Sequence, residues 1–285
     1  MVSPLRLKRE VVGKVPIALN RPFLSILVDT GVFHLDQAFE YLLPEKIEVE
    51  IGDWVSVPFN GRNCLGLIVD RYSKGRNNSA SSRSLPINKK VRGPQVSPKH
   101  LALYQAIAAR WAVPIFDVLR FVSKGSGAEN FNQITSIKSP HGATRTYLQL
   151  RPDESEITQL VSKLHEIAKT GTTLVIVPEA KLVGQIASKE YEVGARGSIL
   201  SSRSYKNLVV VREESGHHFE LKSPGFNSRD VALLRSEYLN ENLYFVGFAP
   251  SLEMMRLINI GFVKYKGQNV DSGSIKVLAQ SSVNG

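Results

Sequence analysis

Between Arg71 and Lys99 the chain carries eight basic residues, Arg71, Lys74, Arg76, Arg83, Lys89, Lys90, Arg92 and Lys99, and no acidic one. Cations at that density suit a phosphate backbone, and a solvated flexible loop has the same composition, so charge alone leaves both readings open. Nucleotide chemistry has a sharper signature, the loop G-x-x-x-x-G-K-[ST], whose backbone amides cradle phosphates while its lysine reaches the β- and γ-phosphates. The sequence lacks that string: its only Gly-Lys pair is Gly13-Lys14, followed by Val15. His217-His218, close behind Glu213-Glu214, raise a metal hypothesis. Adjacent residues on an extended segment point to opposite sides, and no further Cys or His cluster supports the pair, so the pattern predicts a polar loop and no metal. Cys64 is the only cysteine, too few for an internal disulfide or a structural zinc set, and reads as a small buried apolar residue.

These groups need elements to position them. A length of 285 residues with 42% hydrophobic content suffices for two cored domains. Residues 1–140 hold 19 Lys/Arg against 11 Asp/Glu and the remainder 17 against 15, so most of the net charge of +10 belongs to the N-terminal half. No run of 18 apolar residues occurs, and the first twenty residues lack a secretory apolar stretch, which predicts a soluble cytoplasmic protein with no membrane partner.

Residues 1–22 read as a mobile basic arm. From Phe23 to Asp70, short β-rich runs (FLSILVD, EYLLPE, DWVSVPF, CLGLIVD) separated by Gly, Asn and Pro predict a small β-barrel or sandwich. A flexible basic loop spans about 71–96, and helical periodicity follows through Leu101, Leu103, Ile107 and Trp111, with a second short helix opened by Asp117, closing a domain at 23–124. Residues 125–142 read as a linker. Residues 143–265 then alternate: helix 153–169, strand TLVIVP, helix 179–190, strand 207–211, helix 228–239, strand 243–248, helix 251–259. Continuous Val/Ile/Leu strands between helices indicate a parallel sheet covered on both faces. Residues 266–285 read as a strand plus a frayed tail.

The strings Ala38 to Glu45 (AFEYLLPE), Ile51 to Phe59 (IGDWVSVPF) and Leu65 to Val69 (LGLIV), then Ile107 to Trp111 and Pro114 to Arg120, resemble the N-terminal 3′-DNA-end-binding domain of the PriA (primosomal protein N′) replication-restart family. In that family a Phe-Asp-Tyr triplet, a glycine after Pro-Phe and a lysine past the next strand form a pocket for the terminal base and 3′-hydroxyl. By position, the resemblance places these roles on Phe39, Glu40, Tyr41, Asn60 or its neighbour Gly61, and Lys90, with Glu40 replacing the usual Asp and Asn60 the usual Gly. An aromatic ring stacks on any base, and a carboxylate accepts hydrogen bonds from the 3′-hydroxyl and a base edge. The alternative is that Phe39 and Tyr41 are ordinary strand residues. Backbone contacts fall to Arg62, Arg71, Lys74, Arg76, Lys89 and Arg92.

The C-terminal half resembles the family's first helicase lobe, a RecA-like α/β domain, through Thr173 to Glu179, Asn227 to Ala232 and Gly247 to Glu253. The resemblance implies a nucleotide site near His141 to Thr146, with Thr144 and Arg145, and an acidic motif Asp-Glu-Glu-His where this chain has Arg212-Glu213-Glu214-Ser215. A Thr is also missing between Ala249 and Pro250. A guanidinium in place of a Mg²⁺-coordinating carboxylate inverts the local charge. The expectation is a degenerate lobe, as in actinobacterial members, with no ATP hydrolysis and no cofactor. The family's paired zinc cysteines and second lobe are absent, as in a truncated or split gene product. The function so implied is a non-enzymatic bacterial replication-restart factor that binds forks, 3′ ends and single strands. Its partners would be primosome proteins, the replicative helicase loader and single-stranded-DNA-binding protein. An active ATP-dependent 3′-5′ helicase and an inactive remnant with general nucleic-acid affinity are the alternatives.

Overall fold

A computed structural model describes residues 15–74, 84–124 and 142–267. Arg76, Arg83, Gly13-Lys14, His141, most of the expected linker and nearly all of the expected tail lie outside the described residues.

The N-terminal half is an antiparallel sheet of β1 (Phe23–Val28), β2 (Ala38–Leu42), β3 (Trp54–Phe59), β4 (Arg62–Tyr72) and β5 (Lys89–Val91), in the order β2-β1-β4-β3-β5. Asn60-Gly61 is the two-residue turn joining β3 to β4, with Phe59 paired to Arg62 and both turn residues at positive φ (47° and 73°). A type I′ hairpin requires that geometry, and Asn-Gly reaches it with little strain.

The expectation of a flexible loop through residue 96 fails on its second half. Leu42 donates its N–H to the Leu85 carbonyl and accepts from the Ile87 N–H (both 3.0 Å), and the Asn88 N–H reaches Ser56 O at 2.8 Å. Residues 85–91 therefore join the two sheet edges and close a barrel. Burial drives this: Ile87 and Val96 are each only 2% exposed, apolar anchors masked in the sequence by the cations around them. The arm also departs from expectation over its described part. Ala18 N–H donates to Leu43 O, Glu45 N–H to Pro16 O and Leu43 N–H to Pro22 O, so residues 16–22 lie against the barrel.

Alternation splits the barrel side chains into two sets. Leu24, Ile26, Val55, Val57 and Ile68 fill the interior, while Leu27, Trp54 and Leu67 face outward onto α1 (Pro98–Arg110) and α2 (Ile115–Lys124). Ser97 caps α1 by accepting the His100 N–H, and Pro98 opens the first turn, where its missing donor costs nothing.

The C-terminal half is a six-stranded sheet paired in parallel throughout its described strands, in the order β11-β6-β10-β9-β7-β8, with β6 (Arg145–Gln149), β7 (Thr173–Val177), β8 (Glu192–Ala195), β9 (Asn207–Val211), β10 (Asn242–Gly247) and β11 (Lys264–Lys266). The helices are α3 (Glu156–Ala168), α4 (Ala180–Ile186), α5 (Ser228–Leu239) and α6 (Leu252–Asn259). Every residue of β7 and β9 is buried, as continuous apolar runs demand. β6 and β8 do not emerge from the sequence pattern because RTYLQ and EVGA carry too few β-branched residues to stand out.

The two halves share one core. Leu27, Trp54 and Leu67 continue through Tyr104, Ile107 and Leu119 to Phe226, Val231 and Phe245. The Tyr104 hydroxyl donates to Leu200 O (3.0 Å), Phe121 meets Phe226 edge-on (5.9 Å) and Arg110 pairs with Asp230 (2.7 Å).

Candidate nucleic-acid interface

The residues expected to form a 3′-end pocket sit on different faces of the barrel. Phe39 and Tyr41 share the inward face of β2, and Glu40 points out. Tyr41 is 4% exposed, its hydroxyl donates to Pro58 O (3.1 Å), and burial pushes that hydroxyl up to about 12. Phe39 is half-buried and packs edge-on against Phe59 (5.1 Å), one residue before the exposed Asn60-Gly61 turn. Phe39, Phe59 and the turn thus converge at one end of the barrel.

Glu40 lies in a different setting. Its carboxylate accepts the Tyr72 hydroxyl on one oxygen and the Ser84 hydroxyl on the other, each at 2.9 Å, while Tyr72 stacks on Phe23 (5.8 Å). Across the strands, Glu40 and Asp70 both oppose Ser25. Lys90 is elsewhere again: it faces the same side as Val55, bonds Asp53 at 2.7 Å, and lines a cavity of about 450 Å³ with Arg71, Leu43, Glu45, Glu48 and Glu50. Three carboxylates make that cavity a poor phosphate site.

The expected backbone cations divide by what already holds them. The Arg71 guanidinium donates to Asn20 O (2.9 Å) and Arg21 O (3.0 Å), strapping the arm to β4. Arg62, Lys74, Lys89 and Arg92 are exposed, and no ion pair is found for them among the described residues.

In the C-terminal half, ligands of a parallel sheet bind beyond the strands' carboxyl ends. Thr144 and Arg145 stand at the other end, where β6 begins: Thr144 donates its hydroxyl to Asn242 Oδ1 (3.0 Å) and Arg145 pairs with Glu237 (2.6 Å). They cannot share a site with Arg212, Glu213 and Glu214, which follow β9, and this part of the expected nucleotide site is corrected. The presence of β6 shifts the strand-to-helix loop to residues 150–155.

That loop brings in a residue that the sequence pattern does not reveal. Glu156, the first residue of α3, receives the Arg212 guanidinium in a two-pronged ion pair, Nε to Oε1 at 2.5 Å and Nη2 to Oε2. The side-chain hydrogen bonds to Glu156 hold the Arg212 guanidinium above its ordinary value. Arg212 adopts a left-handed φ of 51°. Asp153 and Glu154 add acid beside the α3 N-terminus and pair with Arg151 (2.8 and 3.2 Å). A helix start attracts anions, and here its own carboxylates occupy it. Glu213, 2% exposed, accepts the Ser251 N–H (2.7 Å), the Ser251 hydroxyl (2.9 Å) and Arg229 (3.3 Å). His218 is buried with Nε2 at 2.8 Å from Val211 O, while His217 is exposed; the two lie in a short 3-10 turn over Gly216–His218 and not on the extended segment expected from the sequence. Among the described residues no group of three or more His, Cys, Asp or Glu is placed to hold a metal, and no helix is long and apolar enough to cross a membrane.

A comparison with curated proteins found no match. Residues 25–123, from β1 to the end of α2, match the family model of the PriA 3′ DNA-binding domain (3′BD). The barrel with its two helices is the part of the chain that matches that domain.

Proposed function

We propose that the chain binds DNA 3′ termini through its barrel, as a replication-restart factor at forks with primosome proteins as partners, and that the α/β body is a degenerate RecA-like lobe that turns over no ATP. The match of residues 25–123 to the 3′ DNA-binding domain carries the first part. Glu40 supplies a fitting chemistry: a carboxylate that already accepts two hydroxyl donors can accept a deoxyribose 3′-hydroxyl in place of one of them, beside the stacked Phe23 and Tyr72 rings. The second part rests on charge. A magnesium nucleotide needs a lysine for phosphate and a carboxylate for metal, and the crevice offers Glu156 and Arg212, already bonded to each other. These residues do not fit the group.

Binding of a single strand with a free 3′-hydroxyl, compared with the same strand carrying a 3′-phosphate, tests the first part. The free end is expected to bind more tightly, and Glu40→Ala to remove the difference, a loss of roughly 10- to 100-fold for a hydrogen bond to a charged group. Equal affinity for both ends defeats it. DNA-stimulated phosphate release from ATP defeats the second part. A second reading, general nucleic-acid affinity from exposed cations, is favoured by the separation of Glu40 from Lys90; it predicts no end preference and a steep salt dependence.

A further inference from the structure

We infer that Phe33 is a stacking platform for an unpaired base of the bound strand, with Arg62 as its phosphate partner. The inference rests on the DNA-binding reading of the barrel and adds a site outside the residues named for the 3′ terminus.

The β1–β2 connection, residues 29–37, lifts one aromatic ring into solvent: Phe33 is 62% exposed, next to Val32 at 39%. A ring in water on a floppy loop would be unremarkable, but this loop is fixed at both ends. Asp29 takes two bonds from Arg120 (3.0 and 2.5 Å), and its N–H donates to Leu65 O (2.8 Å). Asp36 accepts the Ile115 N–H at the start of α2 (2.9 Å). Between them the Thr30 hydroxyl accepts the Val32 N–H, and a 3-10 turn over Phe33–Leu35 is closed by Leu35 N–H to Val32 O and Asp36 N–H to Phe33 O. The backbone that carries the ring is therefore held before any ligand arrives, so stacking need not order the loop.

Its neighbourhood suits a nucleic-acid strand. Since β1 ends at Val28 and β2 begins at Ala38, the loop lies at the same end of the sheet as the β3–β4 turn. That turn carries Asn60, Gly61 and Arg62, all exposed, with the half-buried Phe39 and Phe59 at the mouth. Arg62 and Asp29 both act on the Cys64 thiol, which places the loop's origin and the arginine in one electrostatic neighbourhood. The loop's two carboxylates are engaged by Arg120 and the α2 start, leaving the Arg62 guanidinium as the charge offered to a partner. An exposed π-face and an exposed cation at one end of a sheet, with no base-edge donors required, are the pattern of sequence-tolerant single-strand contacts.

The test titrates the full chain with a fluorescent single-stranded 12-mer, using wild type, Phe33→Ala and Phe33→Trp. The strands are intact or carry one abasic site at successive positions from the 3′ end. Phe33→Ala is expected to weaken binding by roughly 5- to 100-fold, the range for losing one base–aromatic stack, with Phe33→Trp retaining affinity. One abasic position should cost wild type the same factor and Phe33→Ala nothing more. Affinity of Phe33→Ala within about twofold of wild type, or abasic penalties unchanged by the substitution, overturns the inference and leaves the end-binding reading standing. Equal wild-type affinity for free and 3′-phosphorylated strands has the opposite effect, because the Phe33 contact does not depend on the terminus.

Discussion

The barrel and the α/β body both carry many basic residues, and they differ in how their arginines are held. On the barrel, Arg62, Lys74, Lys89 and Arg92 face solvent with no ion pair found among the described residues. In the body, Arg212 is held by Glu156, Arg229 by Glu213 and Asp230, Arg196 by Glu220, and Arg235 by Glu241 in full burial. A cation already neutralised within the fold releases no counterions from DNA and attracts no phosphate, so the capacity to bind lies where the charge is left over. Net charge by halves points the same way, and pairing shows that most of the body's arginines are internal fittings, while lysines such as Lys181 and Lys189 stay exposed there with no ion pair found among the described residues.

The largest test of this contrast is Arg235→Ala. Arg235 bonds Glu241 twice and the carbonyls of Ile199, Ser201 and Arg203, and its loss strands a buried carboxylate. Chemical denaturation is expected to show a loss of about 3–5 kcal/mol. A loss under about 1 kcal/mol would mean that the pair is not the internal fitting described.

Next in size is acid. His100 sits at the seam between the halves, 2% exposed, its Nδ1 beside Ser97 Oγ, its Nε2 without a partner among the described residues and Tyr104 and Arg235 nearby. Burial, then the Arg235 charge, lowers it from its ordinary value of 6.5 to about 4. The unfolded chain takes up a proton that the folded one refuses, so this contribution is complete above pH 6.5 and is lost as pH falls toward 4, on the order of 3 kcal/mol. His100→Gln should flatten the unfolding free energy across that window. An unchanged slope would show that the seam does not sense protons through His100.

The smallest effect belongs to the barrel's surplus charge. Lys89→Ala with Arg92→Ala should leave stability unchanged and reduce the slope of log affinity against log salt by roughly 0.7 for each single-strand phosphate no longer neutralised. The control, Arg151→Ala with Arg203→Ala, two body arginines held by Asp153, Glu154 and Glu192, should leave the slope alone. Equal changes in both would erase the distinction between the regions.

Much of this architecture is legible in the sequence. Alternating runs mark β1, β3 and β4, Asn60-Gly61 marks the hairpin, and the buried runs of β7 and β9 mark the parallel sheet. What stays hidden depends on contacts distant along the chain. Ile87 closes the barrel only because Leu42 offers it a hydrogen-bonding edge. Adjacency in the sequence suggests that the pocket residues are neighbours in space, yet a strand sends consecutive side chains to opposite faces, which separates Glu40 from Phe39 and Tyr41. Arg212 stands out in the sequence as a misplaced cation, but its partner lies 56 residues away at the head of a helix whose preceding strand has a weak pattern.

The continuous core across the two halves bears on any attempt to study the barrel alone. A fragment ending near residue 124 would uncover the flanks of α1 and α2 that Tyr104, Ile107 and Leu119 now hide, leaving an oily face with nothing to seal it. Such a piece would be expected to clump or to pair with itself. The body thus acts as a permanent lid for the sticky side of its own DNA-binding head, a reason for the two halves to stay together whatever else the body does.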